Sequence, residues 1–473
     1  MENIINSLSD LLWGQLVYVL LAVGIYFTLR LGLIQFRHFG HMFSVMKNST
    51  KSDAAGISSF QALCTGLAAR VGTGNIAGVA VAIYLGGPGA IFWMWLIAMI
   101  GMASAFVESS LAQLYKIKDD EGSYRGGPAY YMEKGLGQRW MGILFSLFLI
   151  ACFGLAFNGV QANSISAAML NAFDVPKWIT GVGLAMISGI IIFGGLRGIA
   201  RFSELVVPFM AVAYLLIAGV VVGMNAEKLP DVIMMIVRSA FGVEQAGAGA
   251  LGYTIAQAML NGIKRGLFSN EAGMGSAPNT AATASPYPPH PASQGYVQMM
   301  GVFIDTIVIC TCTAFIVLLS NQYAPGNGVT GINLTQAALS EHIGNFGNTF
   351  IALAVFFFAF TSIVANYAYA ENNLVFLEHN HPSRLAIFRL CVLAMVIWGA
   401  VADLPIVWTL ADISMAFMII TNVIALLLLS NTAIKLAKDY NQQRKEGKLP
   451  TFDANQYPEL KGKIEPGVWD NNN

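Results

Sequence analysis

Charged side chains are scarce in this chain. Only 11% of its 473 residues are Asp, Glu, Lys or Arg, whereas soluble domains usually carry about 25%. The 26 basic and 26 acidic residues cancel, which argues against nucleic acid or an acidic surface as a partner. With 56% hydrophobic residues and a mean hydropathy of +0.60, the sequence predicts an all-α integral membrane protein whose surroundings are the lipid bilayer.

Residues that build catalytic or metal centres are also few. The five cysteines lie in apolar stretches without a C-x-x-C pair, so we interpret them as small buried side chains. The chain has no Walker motif, which argues against ATP-driven transport. We expect no enzyme, because all six histidines fall in predicted loops: His38, His41, His290, His342, His379 and His381. We also expect no obligate protein partner. The acidic N-terminus, without a small-residue cleavage site, does not read as a signal peptide.

Long apolar stretches predict eleven membrane-spanning helices, because one span needs about 20 mostly apolar residues. The predicted spans are 13–34, 57–85, 90–115, 140–170, 178–196, 203–224, 249–274, 294–320, 348–377, 385–403 and 406–432.

The basic residues divide unequally between the two sides of these spans. If the N-terminus lies outside, three of the 26 Lys and Arg residues fall in external loops, and Arg70 and Arg389 lie within spans. The other 21, with Lys264 and Arg265 counted in the loop and not in the span, fall in the cytoplasmic loops 30–56, 116–139, 197–203, 264–292, 378–385 and 433–473. By the positive-inside rule, this asymmetry predicts an external N-terminus and a cytoplasmic C-terminus.

The second span is interrupted at its centre by Arg70, Gly72, Thr73, Gly74, Asn75 and Gly78. Each unpaired backbone group in hydrocarbon costs several kcal/mol, so unwound chain at this depth must line a cavity. Secondary transporters bind substrate and coupling ion at such breaks. Span two therefore predicts half of a transport site.

A second interrupted segment, residues 252–278, follows five spans later and runs in the opposite direction. We expect Asn261 and Gly262 to mark its break. Matching interruptions in two halves predict a pair of inverted five-span units that share a central site. The predicted organisation is an extra helix and loop (1–56), a first repeat (57–224), an external connector (225–248), a second repeat (249–432) and a cytoplasmic tail (433–473).

Four stretches resemble the alanine or glycine:cation symporters. They are GTGNIAGVA (72–80), GGPGAIFWMW (86–95, continuing to Gly101), NGVQANS (158–164) and RGLFSNEAGMGSAP (265–278). The resemblance extends over nearly the whole chain and implies the five-plus-five inverted-repeat fold of the bacterial leucine transporter, preceded by one extra helix. It also implies Na⁺-driven uptake of small neutral amino acids through the bacterial inner membrane, with alanine, glycine, D-alanine and serine as candidates.

A small amino acid is a zwitterion, so its site needs donors for the carboxylate and acceptors for the ammonium group. Unwinding at Gly72-Thr73-Gly74-Asn75 would free backbone N–H groups at a helix start, which suit a carboxylate. Glycines there would also let the substrate approach the backbone closely. The alternative is that these glycines only allow close helix packing.

The resemblance further implies a sodium site made by the carbonyls of Ala68 and Val71 and the hydroxyls of Thr361 and Ser362. The alternative is that these hydroxyls bond carbonyls of their own helix. Asn75 aligns with an ion-binding amide of a second sodium site of the fold.

Two further amides are substrate-binding candidates. Gln161 matches a substrate-contacting position of the family, although it could equally form an interhelical hydrogen bond. Asn366 stands where many family members carry tryptophan. An amide in place of an indole would make this wall of the substrate site wider and more polar, so selectivity for alanine or glycine stays open.

Intramembrane charges are functional candidates by default. Arg70 and Glu108 could form a gating or structural ion pair, and Asp305 and Glu371 could also face the interior. Glu108 keeps proton-coupled transport of another small polar amino acid as the alternative function. A channel, whose flux would ignore a sodium gradient, is the third class.

Overall fold

Helices make up nearly all the regular structure of the protein. The computed structural model describes residues 2–47, 49–50, 52–53, 55–242, 251–324, 328–378 and 381–469. Residues 243–248 of the predicted external connector, and His379, lie outside these ranges. In chain order, the helices are α1 (Glu2–Arg30), α2 (Ile34–Arg37), α3 (Phe39–Lys47), α4 (Ser59–Arg70), α5 (Gly74–Gly86), α6 (Gly89–Leu114), α7 (Pro128–Tyr130), α8 (Arg139–Phe173), α9 (Lys177–Ile192), α10 (Gly195–Met224), α11 (Leu229–Ala240), α12 (Leu251–Asn270), α13 (Pro278–Ala282), α14 (Ala292–Leu318), α15 (Gly331–Ile343), α16 (Phe346–Glu378), α17 (Pro382–Val401), α18 (Leu404–Leu428) and α19 (Ser430–Lys445).

Several of these helices contain π-helical turns, where the hydrogen-bonded loop is one residue wider. The π turns lie at Gly74–Gly78, Ile150–Ala156 and Phe303–Cys310, and another, Tyr131–Gly135, follows α7. Such turns often mark functional positions in helices.

Four two-residue strands join loops on one side of the molecule. They are β1 (Ile57–Ser58), β2 (Ile117–Lys118), β3 (Tyr124–Arg125) and β4 (Ala284–Ser285). Strands β1 and β4 pair in parallel, with Ile57 opposite Ala284, and β2 pairs with β3 antiparallel. The first pair ties the start of α4 to the end of α13.

Within the described residues, eight helices are long and apolar enough to cross a membrane, and the bent pair α4–α5 makes nine. Helix α9 is shorter, at 16 residues, and α12 is not among the helices that pass by length and composition. Both coincide with predicted spans, so the count of eleven and the inverted repeat stay predictions.

The first interruption lies where the sequence predicts it. Helices α4 and α5 meet at an angle of 52° across residues 71–73. The helix ends there because Gly72, Thr73, Gly74 and Asn75 follow its apolar first half. A capping box formed by Ser58 and Gln61 fixes where that first half, α4, begins.

The predicted second break at Asn261 and Gly262 is wrong. Helix α12 runs through both residues and ends at Asn270; the non-helical segment is 271–277, where Glu271, Gly273 and Gly275 have positive φ. Gly262 serves helix packing instead, because a Cβ there would lie 2.3 Å from the Ala90 carbonyl oxygen of α6. Small residues allow such close approach between membrane helices.

Two further predictions also change. Lys264 and Arg265, assigned to a cytoplasmic loop, lie buried in α12. This reassignment leaves 19 of the 26 basic residues in the predicted cytoplasmic loops. Of the histidines placed in loops, His41 lies in α3 and His342 in α15.

The end of the bundle that carries α19 is closed by the C-terminal chain, and we call it the tail face. The backbone N–H of Phe452 donates to the Pro289 carbonyl, and Trp469 Nε1 donates to the Gln113 carbonyl. Lys134 pairs with Glu465 at 2.5 Å. Residues 446–469 therefore cross the loops between the helices like a strap.

Candidate functional site

The break between α4 and α5 changes the partners of the helical backbone. The N–H of Gly72 would bond the Ala68 carbonyl in a continuous helix, but it donates to Asn75 Oδ1 at 2.9 Å. The Ala68 carbonyl instead accepts a hydrogen bond from Ser362 Oγ of α16 at 2.8 Å. Because the Asn75 amide takes the N–H of Gly72, the Ala68 carbonyl is available to Ser362 of α16.

The predicted amide of α8 also reaches this break. Gln161 Oε1 accepts the N–H of Thr73 at 2.9 Å. Gly72 leaves no room for a side chain, since a Cβ would lie 2.3 Å from Ser362 Oγ and 2.9 Å from Gln161 Oε1. Thr73 Oγ1 is buried and, within the described residues, has no hydrogen-bond partner. The structure therefore brings Gly72, Thr73, Gln161 and Ser362 together.

The two interrupted elements touch at their centres. A Cβ on Gly74 would lie 2.9 Å from the ring of Phe268 and 3.2 Å from the Ser269 Cα. Both residues belong to the last turn of α12, directly before its non-helical exit. The two interrupted segments are thus adjacent in the structure, although the second break lies later than predicted.

A buried carboxylate joins both elements to α14. Asp305 accepts hydrogen bonds from Asn75 Nδ2, Ser269 Oγ and Thr306 Oγ1, each at 2.7 Å. Asn75 also reaches the Cys310 sulfur at 3.4 Å. The sequence marked Asp305 only as an interior charge; its link to Asn75 crosses 230 residues and has no local signal.

Of the four predicted sodium ligands, only Ala68 and Ser362 are joined by a hydrogen bond in the described residues. Thr361 and Ser362 both bond the carbonyl of Phe358 in their own helix, at 2.9 Å, which is the alternative stated above. Only Ser362 is also bonded to Ala68. Val71 is buried at the end of α4, where its N–H closes the last helical turn.

The remaining two amide candidates behave differently from each other. Asn366 is buried one turn beyond Ser362 and donates to Asn158 Oδ1 at 3.1 Å; its own Oδ1 has no partner in the described chain. Asn261 bonds the Gln257 carbonyl within α12 and lies beside Gly86. Gly86 lies twelve positions after Gly74 along α5, about 18 Å at 1.5 Å per residue, so Asn261 is not brought to the break.

Aromatic rings cover the centre on the side away from the tail face. The ring of Phe268 lies 4.3 Å from that of Phe157 and 4.7 Å from that of Trp408. The guanidinium of Arg265 stacks 4.3 Å above Trp408 and pairs with Asp412. Buried rings and a buried ion pair therefore close this side.

Helix α1 supports the same ion pair. Trp13 Nε1 donates to the backbone carbonyl of Asp412 at 3.0 Å, and its ring lies 5.6 Å from Lys264 Nζ. Lys264 Nζ lies 3.3 Å from the Asp412 carboxylate. The extra N-terminal helix thus contacts the ion pair that closes this side of the site, a contact that the sequence did not indicate.

Glu108 holds the non-helical exit of α12 on the tail-face side. Its carboxylate accepts the N–H groups of Gly273 and Gly275 at 3.1 Å each, and Asn422 Nδ2 at 3.2 Å. Tyr131 bonds Asn422 in turn. These bonds replace the helical partners that the backbone loses between α12 and α13.

The charges predicted as an ion pair are not in direct contact. Arg70 is buried, and its guanidinium nitrogens have no hydrogen-bond partner in the part of the chain that the structure describes. It interacts electrostatically with Glu108, Glu271 and Asp305. Glu371 lies 3.9 Å from Arg389 and is part of a separate pair.

Comparison with known proteins gives a consistent result. Residues 1–454 match the profile of the Sodium:alanine symporter family. The "Probable sodium/glutamine symporter GlnT" of Bacillus subtilis (strain 168) is 50% identical, covering 96% of this chain and 93% of that protein. The "Sodium/alanine symporter AgcS" of Methanococcus maripaludis is 40% identical, covering 94% and 98%.

A solved structure shares the fold. The crystal structure of MhsT in complex with L-phenylalanine superimposes with a TM-score of 0.56, covering 80% of this chain and 91% of that one. The two sequences are 14% identical, so this likeness concerns the fold alone.

Proposed function

The chain belongs to the sodium:alanine symporter family, and from this membership we propose that it couples inward Na⁺ movement to uptake of small neutral amino acids. It is not an enzyme but a multi-pass membrane transporter. The observation that carries the proposal is the break at Gly72–Thr73, where backbone, one free hydroxyl and the Gln161 amide meet in the buried centre.

The substrate would lie against this break. A zwitterion needs neutral donors and acceptors, and Thr73 Oγ1 and the N–H groups that begin α5 supply them. Phe268 lies directly over Gly74 and would limit the length of the substrate side chain. Glycine, alanine and D-alanine, with at most a methyl group, fit this limit best, followed by serine.

Asn366 widens the range of substrates to be considered. It is one turn from Ser362 and has an unpaired amide oxygen, and a relative of 50% identity is named a glutamine symporter. A polar side chain on the substrate could satisfy that oxygen as a donor. Glutamine is therefore part of the test set.

Sodium would bind where the α4 backbone loses its helical partners. Hard cations take oxygen ligands, and the Ala68 carbonyl and Ser362 hydroxyl already face each other at 2.8 Å. We place the carbonyl of Val71 and the hydroxyl of Thr361 in the same shell, the latter after a change of its hydroxyl rotamer. A bound cation would then fix the break relative to α16.

Alternating access would use the two closures around the centre. Separation of the aromatic rings and the Arg265–Asp412 pair would open the site to the outside, and loss of the Glu108 and Asn422 hydrogen bonds would open it to the tail face. We expect the protein in the inner membrane with its N-terminus outside, which makes the tail face the cytoplasmic side. The bundle containing α4–α5 and α12 would rock against the remaining helices.

Proton coupling is the second candidate, and the contacts move it from Glu108 to Asp305. Both oxygens of Glu108 accept backbone N–H groups, so a proton would cost one of these bonds. Asp305 forms no salt bridge among the described residues. Two of its three donors are the hydroxyls of Ser269 and Thr306, which can turn to accept a hydrogen bond from a protonated carboxyl. A proton could therefore bind at Asp305 without leaving a backbone donor unpaired.

Equilibrium binding to the purified protein tests the proposal. We expect labelled alanine to bind only with Na⁺ and to be displaced by glycine, serine or glutamine in an order that defines the preference. Ser362→Ala should raise the half-saturating Na⁺ concentration at least ten-fold. The control is Ser414→Ala, whose hydroxyl donates to the carbonyls of Leu410 and Ala411 in its own helix, away from the break between α4 and α5. Equal Na⁺ dependence in both variants would contradict the assigned ion site.

A further inference from the structure

A pocket of about 610 Å³ opens on the tail face between α1, α2 and α19. Helix α19 lines one wall with a single face, because Ile434, Lys438 and Lys445 recur at helical spacing. Arg30, in the last turn of α1, and Arg37, in the last turn of α2, line the other wall.

The lining of this tail-face pocket is strongly basic. Four of its side chains are exposed Arg or Lys, and Asp439 is the one acid among the lining residues. Asp439 is already engaged, since its carboxylate accepts bonds from Gln443 and Tyr457. The pocket therefore offers uncompensated positive charge to an anion.

The basic side chains differ in how firmly they are held. Arg30 bonds Tyr26 at 2.7 Å and Asn431 at 3.0 Å, and Arg37 bonds the Gly32 carbonyl at 3.3 Å. Lys438 and Lys445 take part in no ion pair within the described chain. Two fixed guanidinium groups thus face two free ammonium groups.

The pocket lies at the edge of the apolar belt. Leu29 precedes Arg30 and is 66% exposed, and Leu428, just before α19, is 64% exposed. Leu33 and Phe36, which flank the start of α2, are also exposed. Large apolar side chains on the surface of a membrane protein face lipid, so the pocket lies at headgroup depth at this end of α1 and α18.

We propose that the tail-face pocket binds the headgroup of an anionic phospholipid. Its phosphate would lie between Arg30, Arg37, Lys438 and Lys445, because basic pockets beside membrane helices suit phosphate groups. The acyl chains would follow the exposed leucines of α1 and α18. A lipid here would bridge the N-terminal helix to α19, and so would link the helix that contacts Asp412 to the helix that carries the strap.

Native mass spectrometry of the full chain in detergent tests this site. The protein is titrated with phosphatidylglycerol or with phosphatidylcholine of identical acyl chains. We expect one phosphatidylglycerol to bind at least ten-fold more tightly than phosphatidylcholine. Lys438→Gln with Lys445→Gln should weaken that binding about 25-fold, near five-fold for each lost charge.

The matched control removes two lysines elsewhere on the surface. Lys228→Gln with Lys461→Gln makes the same change in net charge, and both residues are exposed; it should bind phosphatidylglycerol like the unchanged chain. Arg37→Gln should also weaken binding, which guards against a local effect in α19. Equal affinity for the two lipids, or equal loss in both double variants, would overturn the proposal. Displacement of the lipid by millimolar inorganic phosphate alone would assign the pocket to a soluble anion and overturn the lipid site.

Discussion

At the scale of single residues, the centre depends on small side chains and paired amides. Gly72 admits Ser362 and Gln161, while Asn75 turns the backbone and reaches Asp305. The sequence predicted Gly72 and Asn75 because glycines and an amide interrupt an apolar run. It could not predict Asp305 as their partner, because the pairing depends on how α14 packs beside the break.

Adding one methyl group at Gly72 tests the close approach. Gly72→Ala should abolish sodium-dependent binding or weaken it at least ten-fold, since an overpacked site costs about 1–3 kcal/mol. Gly183→Ala is the control, because nothing lies within 4 Å of a Cβ there. It should bind normally and be as stable as the parent or slightly more so, as alanine favours helix. Normal binding by Gly72→Ala would contradict the geometry of the break.

At the scale of elements, the two broken helices differ in how clearly the sequence marks them. The first break lies at the residues that the sequence predicts, between Arg70 and Gly74. The second was predicted about ten residues early, because Asn261-Gly262 and Lys264-Arg265 look like a polar exit. The structure buries that segment: Gly262 packs on α6, and Arg265 pairs with Asp412, which lies 147 residues away. Local polarity cannot reveal a distant partner that allows a charge to remain in a helix.

The exit of α12 gives the element-scale prediction. Glu108→Gln places an amide –NH₂ where a carboxylate oxygen accepts a backbone N–H, so Gly273 or Gly275 loses its partner. An unpaired buried donor costs about 1–3 kcal/mol. We expect a lower unfolding temperature in detergent and at least ten-fold slower uptake.

The control for this variant is Glu227→Gln, which removes an exposed carboxylate before α11. It should match the parent protein in both measurements. Full uptake and unchanged stability in Glu108→Gln would show that the exit does not depend on these two bonds.

At the scale of the whole molecule, the tail face joins distant parts of the chain through the buried His290 and the partly buried His38 and His41. Burial, with a further effect from Arg444, lowers the pKa of His38, and the same causes lower the pKa of His41 to about 4. Burial also lowers the pKa of His290, against the opposing effect of Asp439. His38 contacts Tyr296 of α14, and His41 contacts Tyr440 of α19. These contacts are made by neutral imidazoles.

This arrangement predicts a pH-dependent stability. The unfolded chain takes up protons as the pH falls through about 6.5, whereas the folded histidines stay neutral, so the unfolded state binds more protons. The free energy of unfolding should therefore decrease from about pH 6.5 towards about pH 4. Thermal unfolding in detergent across this range measures the slope.

Two histidine variants separate the tail face from the rest of the chain. His41→Gln should reduce the slope because it removes the histidine whose pKa is lowered to about 4. His381→Gln, at an exposed position before α17, should leave it unchanged. A slope that is the same in both variants would show that the tail-face histidines do not cause it.

The most direct test of the central claim is uptake of labelled alanine and glycine into proteoliposomes containing the full chain. An inward Na⁺ gradient is compared with equal K⁺ and H⁺ gradients. We predict concentrative uptake that requires Na⁺ and collapses when the gradient is dissipated. Concentrative uptake driven by H⁺ without Na⁺ would contradict sodium coupling and direct attention to Asp305, and equilibration that ignores every gradient would contradict symport itself.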